Sequence, residues 1–293
     1  MSWGRPLKFV KNSADNSTHF LCIPLLAPAV RPRFRASIAS LLNHPAWARV
    51  PTEAIRPPGT LHISLGGFNL LRPDDATAAT KLLESIDIAN VLEISAACSK
   101  NGIKFDPKRY VAEHSQQRHS TLKKTSSLLE TGPVKVCLRG LWCKQGKEAA
   151  SSRLGIGVVD PTYRLQPVAE TIRHAFHFAG FAFSSEILLH RDKTNRTMEE
   201  FLSTPIIQAV IMQMMRSGNI VSSFQHPGKF RQETPEVDLR DVLTEYQNHT
   251  WLENLRLEKV SLCRLGMAKE ILRRGGGIDS DMELFEDFSI PLP

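Results

Sequence analysis

The chain of 293 residues can bury one large core or two modest ones, and its 42% apolar and 23% charged residues argue against a disordered or membrane-spanning class. Five scattered cysteines (Cys22, Cys98, Cys137, Cys143 and Cys263) are odd in number and lack paired metal-ligand spacing, which argues against a disulfide scaffold or a zinc module. A formal charge of +7 and a pI near 9.3 favour a polyanionic partner without naming it, since basic charge attracts phosphate backbones and anionic surfaces alike.

No segment reads as a signal peptide or a membrane span. Residues 21–30 are interrupted by Pro24 and Pro28, and the apolar run 205–215 is too short. With apolar neighbours around the thiols, as in Leu21-Cys22-Ile23, the expectation is an intracellular protein of a reducing compartment, nuclear or cytoplasmic.

In chain order, residues 19–25 read as a strand and 31–43 as a helix, with Phe34, Ile38, Leu41 and Leu42 at three-to-four spacing. Arg31, Arg33 and Arg35 crowd the start of that helix, where positive charge is locally unfavourable; the arrangement suggests an anionic neighbour, although solvated arginines are the commoner reason for it. A proline-marked loop leads through Gly59 into a strand at 60–65. Leu61, Ile63 and Leu65 alternate with His62 and Ser64, so period two places the histidine and the serine on one face. A helix opens at Asp74 and Asp75, and a strand is expected near 91–97.

Residues 99–133 carry many lysines and arginines and few strong apolar positions, and read as a basic insertion, loop-like or disordered, within a single domain spanning 1–293. Strands follow at 134–142 and 154–159, then a helix over 161–180, a buried strand over 204–214, a helix at 238–246, and strands at 257–265 and 288–291. The run Gly275-Gly276-Gly277 is a turn without the features of a phosphate loop.

A histidine and a hydroxyl two residues apart on a strand can address one phosphate: the imidazole moves a proton near neutral pH and the hydroxyl donates to a phosphoryl oxygen. The triplet His62-Ile63-Ser64 sits within Arg56-Pro57-Pro58-Gly59-Thr60-Leu61-His62-Ile63-Ser64-Leu65-Gly66. It is preceded by Thr18-His19-Phe20 and followed late in the chain by Lys259-Val260-Ser261-Leu262-Cys263-Arg264-Leu265-Gly266. In these segments, from about residue 17 to the C-terminus apart from the basic insertion, the chain resembles the A-kinase-anchor-like branch of the two-histidine phosphoesterase superfamily, which includes a subunit of the activating signal cointegrator complex. The resemblance implies an α+β, bilobal LigT-like fold with two antiparallel-rich sheets and flanking helices around a central cleft. It also implies two facing His-x-Thr/Ser motifs, one histidine acting as base and the other as acid on cyclic or 2′,5′-linked phosphodiesters, with no metal or other cofactor. His62 and Ser64 are then the catalytic pair, and His19, Arg33 and Arg35 are candidate substrate-binding residues.

Where relatives carry the second motif, this chain reads Ile207-Gln208-Ala209-Val210-Ile211-Met212-Gln213. Gln208 stands for the histidine and Val210 for the hydroxyl residue. A glutamine amide can hold a phosphate oxygen but exchanges no proton at neutral pH, and loss of a positioned acid or base costs about 10²- to 10⁴-fold in rate. Other histidines fit the second role poorly: His119-Ser120-Thr121 lacks an apolar strand, His190 has no hydroxyl two residues on, His226 precedes a proline, and His174 and His177 lie on a helix. The expectation is a weak or inactive phosphoesterase-like protein that binds RNA or a nucleotide and takes part in a protein complex. The alternatives are an active metal-independent phosphodiesterase and a protein-interaction scaffold without ligand.

Overall fold

Two four-stranded antiparallel sheets form the frame, each ending in one of the two strands that the motifs occupy. The computed structural model describes residues 17–50, 54–116, 132–143, 147–183, 208–213, 236–265 and 277–293. The element order is β1 (His19–Pro24), α1 (Arg31–Leu42), β2 (His62–Phe68), α2 (Pro73–Glu84), α3 (Ile88–Lys100), α4 (Pro107–Gln116), β3 (Lys135–Trp142), β4 (Arg153–Val159), α5 (Leu165–Phe178), β5 (Gln208–Gln213), α6 (Arg240–Glu245), β6 (Thr250–Arg256), β7 (Lys259–Arg264) and β8 (Glu286–Pro291). The first sheet has strand order β2-β1-β7-β8 and the second β5-β4-β3-β6. The expected α+β architecture with two antiparallel sheets and flanking helices is therefore the one observed.

The two lobes repeat one design. In each, an antiparallel pair at the sheet edge is joined by a long helix: β1-α1-β2 in the first and β4-α5-β5 in the second. Each connecting helix leans on the other lobe. Ser37 of α1 donates to the Trp251 carbonyl of β6, and Phe34 and Ile38 share an apolar seam with Ile211 and Met212 of β5. Phe176 of α5 stacks on Phe68 of β2 with ring centroids 5.1 Å apart. Leu21, Ile23, Leu61, Ile63 and Leu65 are buried in the same continuous core as Leu154, Ile156, Ala209 and Ile211, so neither lobe closes its apolar face alone.

Three elements differ from the sequence expectation. The β-branched residues of 91–97 suggested a strand, but α3 runs from Ile88 to Lys100. The Asp87 side chain caps it by accepting from Asn90 N at 3.0 Å, and the buried positions Ile88, Val91, Leu92 and Ser95 follow helical spacing. Part of the basic stretch expected as a loop is helix α4, held by buried Tyr110 and Val111. Asn90 Nδ2 donates to the Tyr110 hydroxyl at 3.0 Å, and α4 lies against α5; residues 117–131, including His119, lie outside the described residues. Strand β6 was missed: Trp251, Leu252 and Leu255 are buried out of strict alternation, where Asn254 adopts a positive φ of 53°. Trp251 Nε1 donates to the Gly140 carbonyl at 2.9 Å.

The lobes are also tied by a buried cation. Arg173 of α5 is 5% exposed, and its Nε donates to the Leu65 carbonyl of β2 at 2.9 Å. Burial pushes the guanidinium down to about 10, against the opposing pull of Glu170. Arg173→Leu removes a charge-assisted donor and leaves that carbonyl without it. The expected loss is about 2–4 kcal/mol of unfolding free energy, read from the urea midpoint at unchanged m-value.

Candidate functional site

His62 and Ser64 are the partly exposed positions of β2, whereas Leu61, Ile63 and Leu65 on the opposite face are buried in the core. The neighbouring strands continue the motif face: Phe20, Cys22 and Cys263 form a small apolar patch separate from the main core. The Phe20 ring lies 5.0 Å from the His62 ring, centroid to centroid. Across the sheet, Cys22 pairs with Ser64 on one side and Ser261 on the other, and Ser261 pairs with Ser289. Paired residues share a face, so a row of hydroxyls and one thiol crosses the floor beside His62. The hydroxyl oxygens of Ser64 and Ser261 are buried and have no hydrogen-bond partner among the described residues. Such orphaned donors are costly unless a ligand or solvent meets them.

His62 Nδ1 lies 2.7 Å from the Thr60 carbonyl. A carbonyl only accepts, so Nδ1 carries the proton and the neutral ring keeps its lone pair on Nε2. Burial, and then the positive charge of Arg56, push the imidazole down to about 4, with the Thr60 carbonyl pulling the other way. At neutral pH the ring is an acceptor and a base, not an acid.

The second lobe presents its edge strand β5 against β2. In the first lobe His62, Ile63 and Ser64 pair with Pro24, Ile23 and Cys22; the register then slips, Gly66 pairs with Leu21, and Leu65 is the extra residue of a β-bulge. In the second lobe Gln208, Ala209 and Val210 pair with Gly157, Ile156 and Gly155; the register then slips, Met212 pairs with Leu154, and Ile211 is the extra residue. Both bulge residues are held from the opposite lobe. The Leu65 carbonyl accepts from Arg173 Nε, and the Ile211 carbonyl accepts from the Arg56 backbone N–H at 2.9 Å. Counting from the bulges, position 208 corresponds to 62 and position 210 to 64. Ala209 and Ile211 are buried and Val210 is half-exposed, so strand alternation gives position 210 the face opposite the core.

Of the other candidates, His19 is not in this group. It pairs with Phe68, at the far end of β2 from His62. Leu70 N donates to Thr18 Oγ1 at 2.8 Å, which leaves the Thr18 hydroxyl to donate to His19 Nδ1 at 2.8 Å. His19 Nε2 then donates to Asp287 at 3.0 Å, and Arg264 donates to the same carboxylate at 2.7 Å. This closed network fastens β1 to β7 and β8, and burial outweighs Asp287 in lowering the His19 pKa. Arg35 lies under the segment that precedes β8. Arg33, two residues from Arg31 and so about 200° around the helix, is exposed. His190 and His226 lie outside the described residues.

Arg56 and Arg153 were not singled out from the sequence. Arg56 is pushed down to about 10 by burial and then by the charge of Arg153. Arg153 pairs with Gln213 at the end of β5. An arginine placed directly before the buried turn Pro57-Pro58-Gly59-Thr60 was the available signal. Among the described residues, no helix is long and apolar enough to cross a membrane, and no group of three or more His, Cys, Asp or Glu side chains is arranged to hold a metal.

No curated protein matches this chain. Among solved structures it is similar to one described as a phosphoesterase, with 11% identity, a TM-score of 0.41, and coverage of 95% of this chain and 99% of that one. It is similar to E. coli LigT complexed with 3'-AMP (11% identity, TM-score 0.39) and to E. coli LigT complexed with NADP+ (10% identity, TM-score 0.37), each over 95% of this chain and 99% of the other. The family model described as "AKAP7 2'5' RNA ligase-like domain" matches residues 17–273. Over that span, which takes in the strand of His62 and the strand of Gln208, the chain belongs to the AKAP7 2'5' RNA ligase-like domain family.

Proposed function

We propose that the cleft between β2 and β5 binds a phosphate of RNA or of a nucleotide and turns it over weakly or not at all. The observation that supports this reading is the matched register of the two bulges: Gln208 and Val210 stand at the same offsets from theirs as His62 and Ser64 do. In the first half, Ser64 Oγ supplies a buried donor without a partner among the described residues, and His62 Nε2 accepts a proton or a hydrogen bond from a ribose hydroxyl. In the second half, a glutamine can hold a phosphoryl oxygen through its amide but cannot protonate a leaving alkoxide. Arg56 beside His62 adds positive charge, and the excess of basic residues gives the long-range attraction. As a subunit of a larger complex, such a chain contributes phosphate recognition rather than turnover.

The test is binding and turnover of 2′,3′-cyclic AMP and of 2′,5′-linked oligoadenylate, beside His62→Ala. Salt-sensitive binding is expected, weakened about 3- to 10-fold in the variant as the hydrogen bond accepted at Nε2 is lost. Turnover by the unaltered protein that vanishes in His62→Ala would overturn the inactive half of this reading. Absence of binding to either compound would overturn all of it.

A further inference from the structure

The segment between Ile278 and Leu284 runs along the first lobe as a strap, and its contacts converge on two arginines of α1. Arg35 Nε donates to the Ile278 carbonyl at 2.9 Å, and Arg35 Nη2 donates to the Ser280 carbonyl at 3.2 Å and to Asp281 Oδ1 at 2.8 Å. Arg31 Nη1 pairs with Glu283 Oε1 at 2.6 Å, while its Nε donates to the Leu26 carbonyl at 3.3 Å. Arg31 and Arg35 are four residues apart and so lie on one face of the helix.

The strap also lies against the lead-in to the motif. A Cβ on Gly59 would come within 2.5 Å of the Met282 carbonyl and 3.1 Å of the Arg31 guanidinium carbon. Only glycine permits that approach, and His62 follows three residues later. Leu284 then packs on the Phe20, Cys22 and Cys263 patch, whose Phe20 touches His62. The strap thus passes from α1 to the floor next to the motif, and two of its three carboxylates, Asp281 and Glu283, sit on the guanidinium groups of α1.

Each carboxylate meets its guanidinium through one oxygen, Asp281 on Arg35 Nη2 and Glu283 on Arg31 Nη1, and a phosphate oxygen is accepted by the same donors. The Asp281 side chain is 88% exposed and that of Glu283 57% exposed, whereas the Arg31 side chain is only 10% exposed. The cations are therefore fixed in the fold, and the anions are the exchangeable partners; ion pairs whose carboxylates face solvent hold weakly. From this we propose that Arg31 and Arg35 form a second anion site at the mouth of the cleft, which takes a phosphate of the strand flanking the bound nucleotide and which the Asp281–Glu283 strap occupies until that phosphate displaces it. The inference rests on the phosphate-binding reading of the cleft and adds to it a second phosphate contact outside the motif.

The experiment compares the full chain with Asp281→Asn/Glu283→Gln, which keeps side-chain size and removes both charges, using fluorescein-labelled 2′,5′-linked tetra-adenylate and AMP as probes. The double variant should bind the tetra-adenylate about 5- to 10-fold tighter, with a steeper salt dependence, and the gain should vanish when Arg35→Gln is added. AMP, with its single phosphate taken at the motif, should bind the two proteins within about twofold of each other. Asp281→Asn alone, at an exposed carboxylate that carries no fold, should give about a 2- to 3-fold gain and guards against loss of Arg31 packing. Equal or weaker tetra-adenylate binding by both variants, at unchanged melting temperature, overturns the strap while AMP binding leaves the cleft reading intact. If neither probe binds either protein, both are overturned.

Discussion

Introducing Gln208→His together with Val210→Thr is expected to raise cleavage of 2′,5′-linked oligoadenylate by about 10²- to 10⁴-fold over the unaltered chain, the rate ordinarily attributed to one positioned acid or base. The reason is geometric. The bulge after Ser64 and the bulge after Val210 put the two strands in one register, so a histidine at 208 starts from the backbone position equivalent to that of His62. A threonine at 210 is nearly isosteric with valine, and its position is half-exposed, so the added hydroxyl costs little in burial. His62, neutral with its lone pair on Nε2, can take the proton of the attacking hydroxyl, and the new histidine can deliver one to the leaving oxygen. Single substitutions should fall well short of the pair, because the acid and the phosphate donor act on the same transition state. The gain must also disappear when His62→Ala is added. A folded double variant that binds oligoadenylate and shows no such gain would refute the correspondence of 208 with 62, whatever else the cleft does.

How far the sequence reveals this site depends on which residues carry it. The alternation of Leu61, Ile63 and Leu65 with His62 and Ser64 is a period-two pattern on one buried sheet face, and the strand forms as that pattern requires. The helix over Leu165–Phe178 and the strands β3 and β4 are legible for the same reason, their apolar spacing. Residues 88–100 misled because Val91 and Ile94 favour strands by propensity, while the cap at Asp87 and the helical spacing of the buried positions outweigh it. Strand β6 was hidden by Asn254, whose left-handed backbone breaks the alternation.

The remainder of the site was illegible because long-range pairings carry it. Nothing local in Leu65 or Ile211 shows that each is a bulge residue with its carbonyl held from the opposite lobe. Nor does the acidic run Asp279 to Glu283 show that it lies on Arg31 and Arg35, far away in the chain. His19, by contrast, was placed in the candidate site by its neighbourhood in the sequence. Its side chain is instead spent on Asp287 at the other end of the sheet.

The second large effect is on pH. In the folded chain His62 titrates at about 4 instead of the ordinary 6.5, because burial and Arg56 disfavour the imidazolium. A histidine depressed in this way binds its proton more readily in the unfolded chain, so its contribution to stability is complete above about pH 6.5 and is lost as pH falls toward 4. The shift corresponds to about 2 kcal/mol between pH 7.5 and 4.5, after allowance for the part of the ring that solvent reaches. Burial lowers His19 as well, so its loss has the same sign. Urea unfolding at both pH values should show the decline, and His62→Gln should remove about 2 kcal/mol of it while leaving the share due to carboxylates and His19 unchanged. A bound phosphate reverses the sign at the same ring. Its negative charge opposes Arg56 and raises the His62 pKa, so the complex takes up a proton and affinity increases as pH falls from about 6.5 toward 4. A nucleotide affinity that is flat over that range, in a chain whose stability still shows the His62 contribution, would place the phosphate away from the imidazole and move the binding site elsewhere in the cleft.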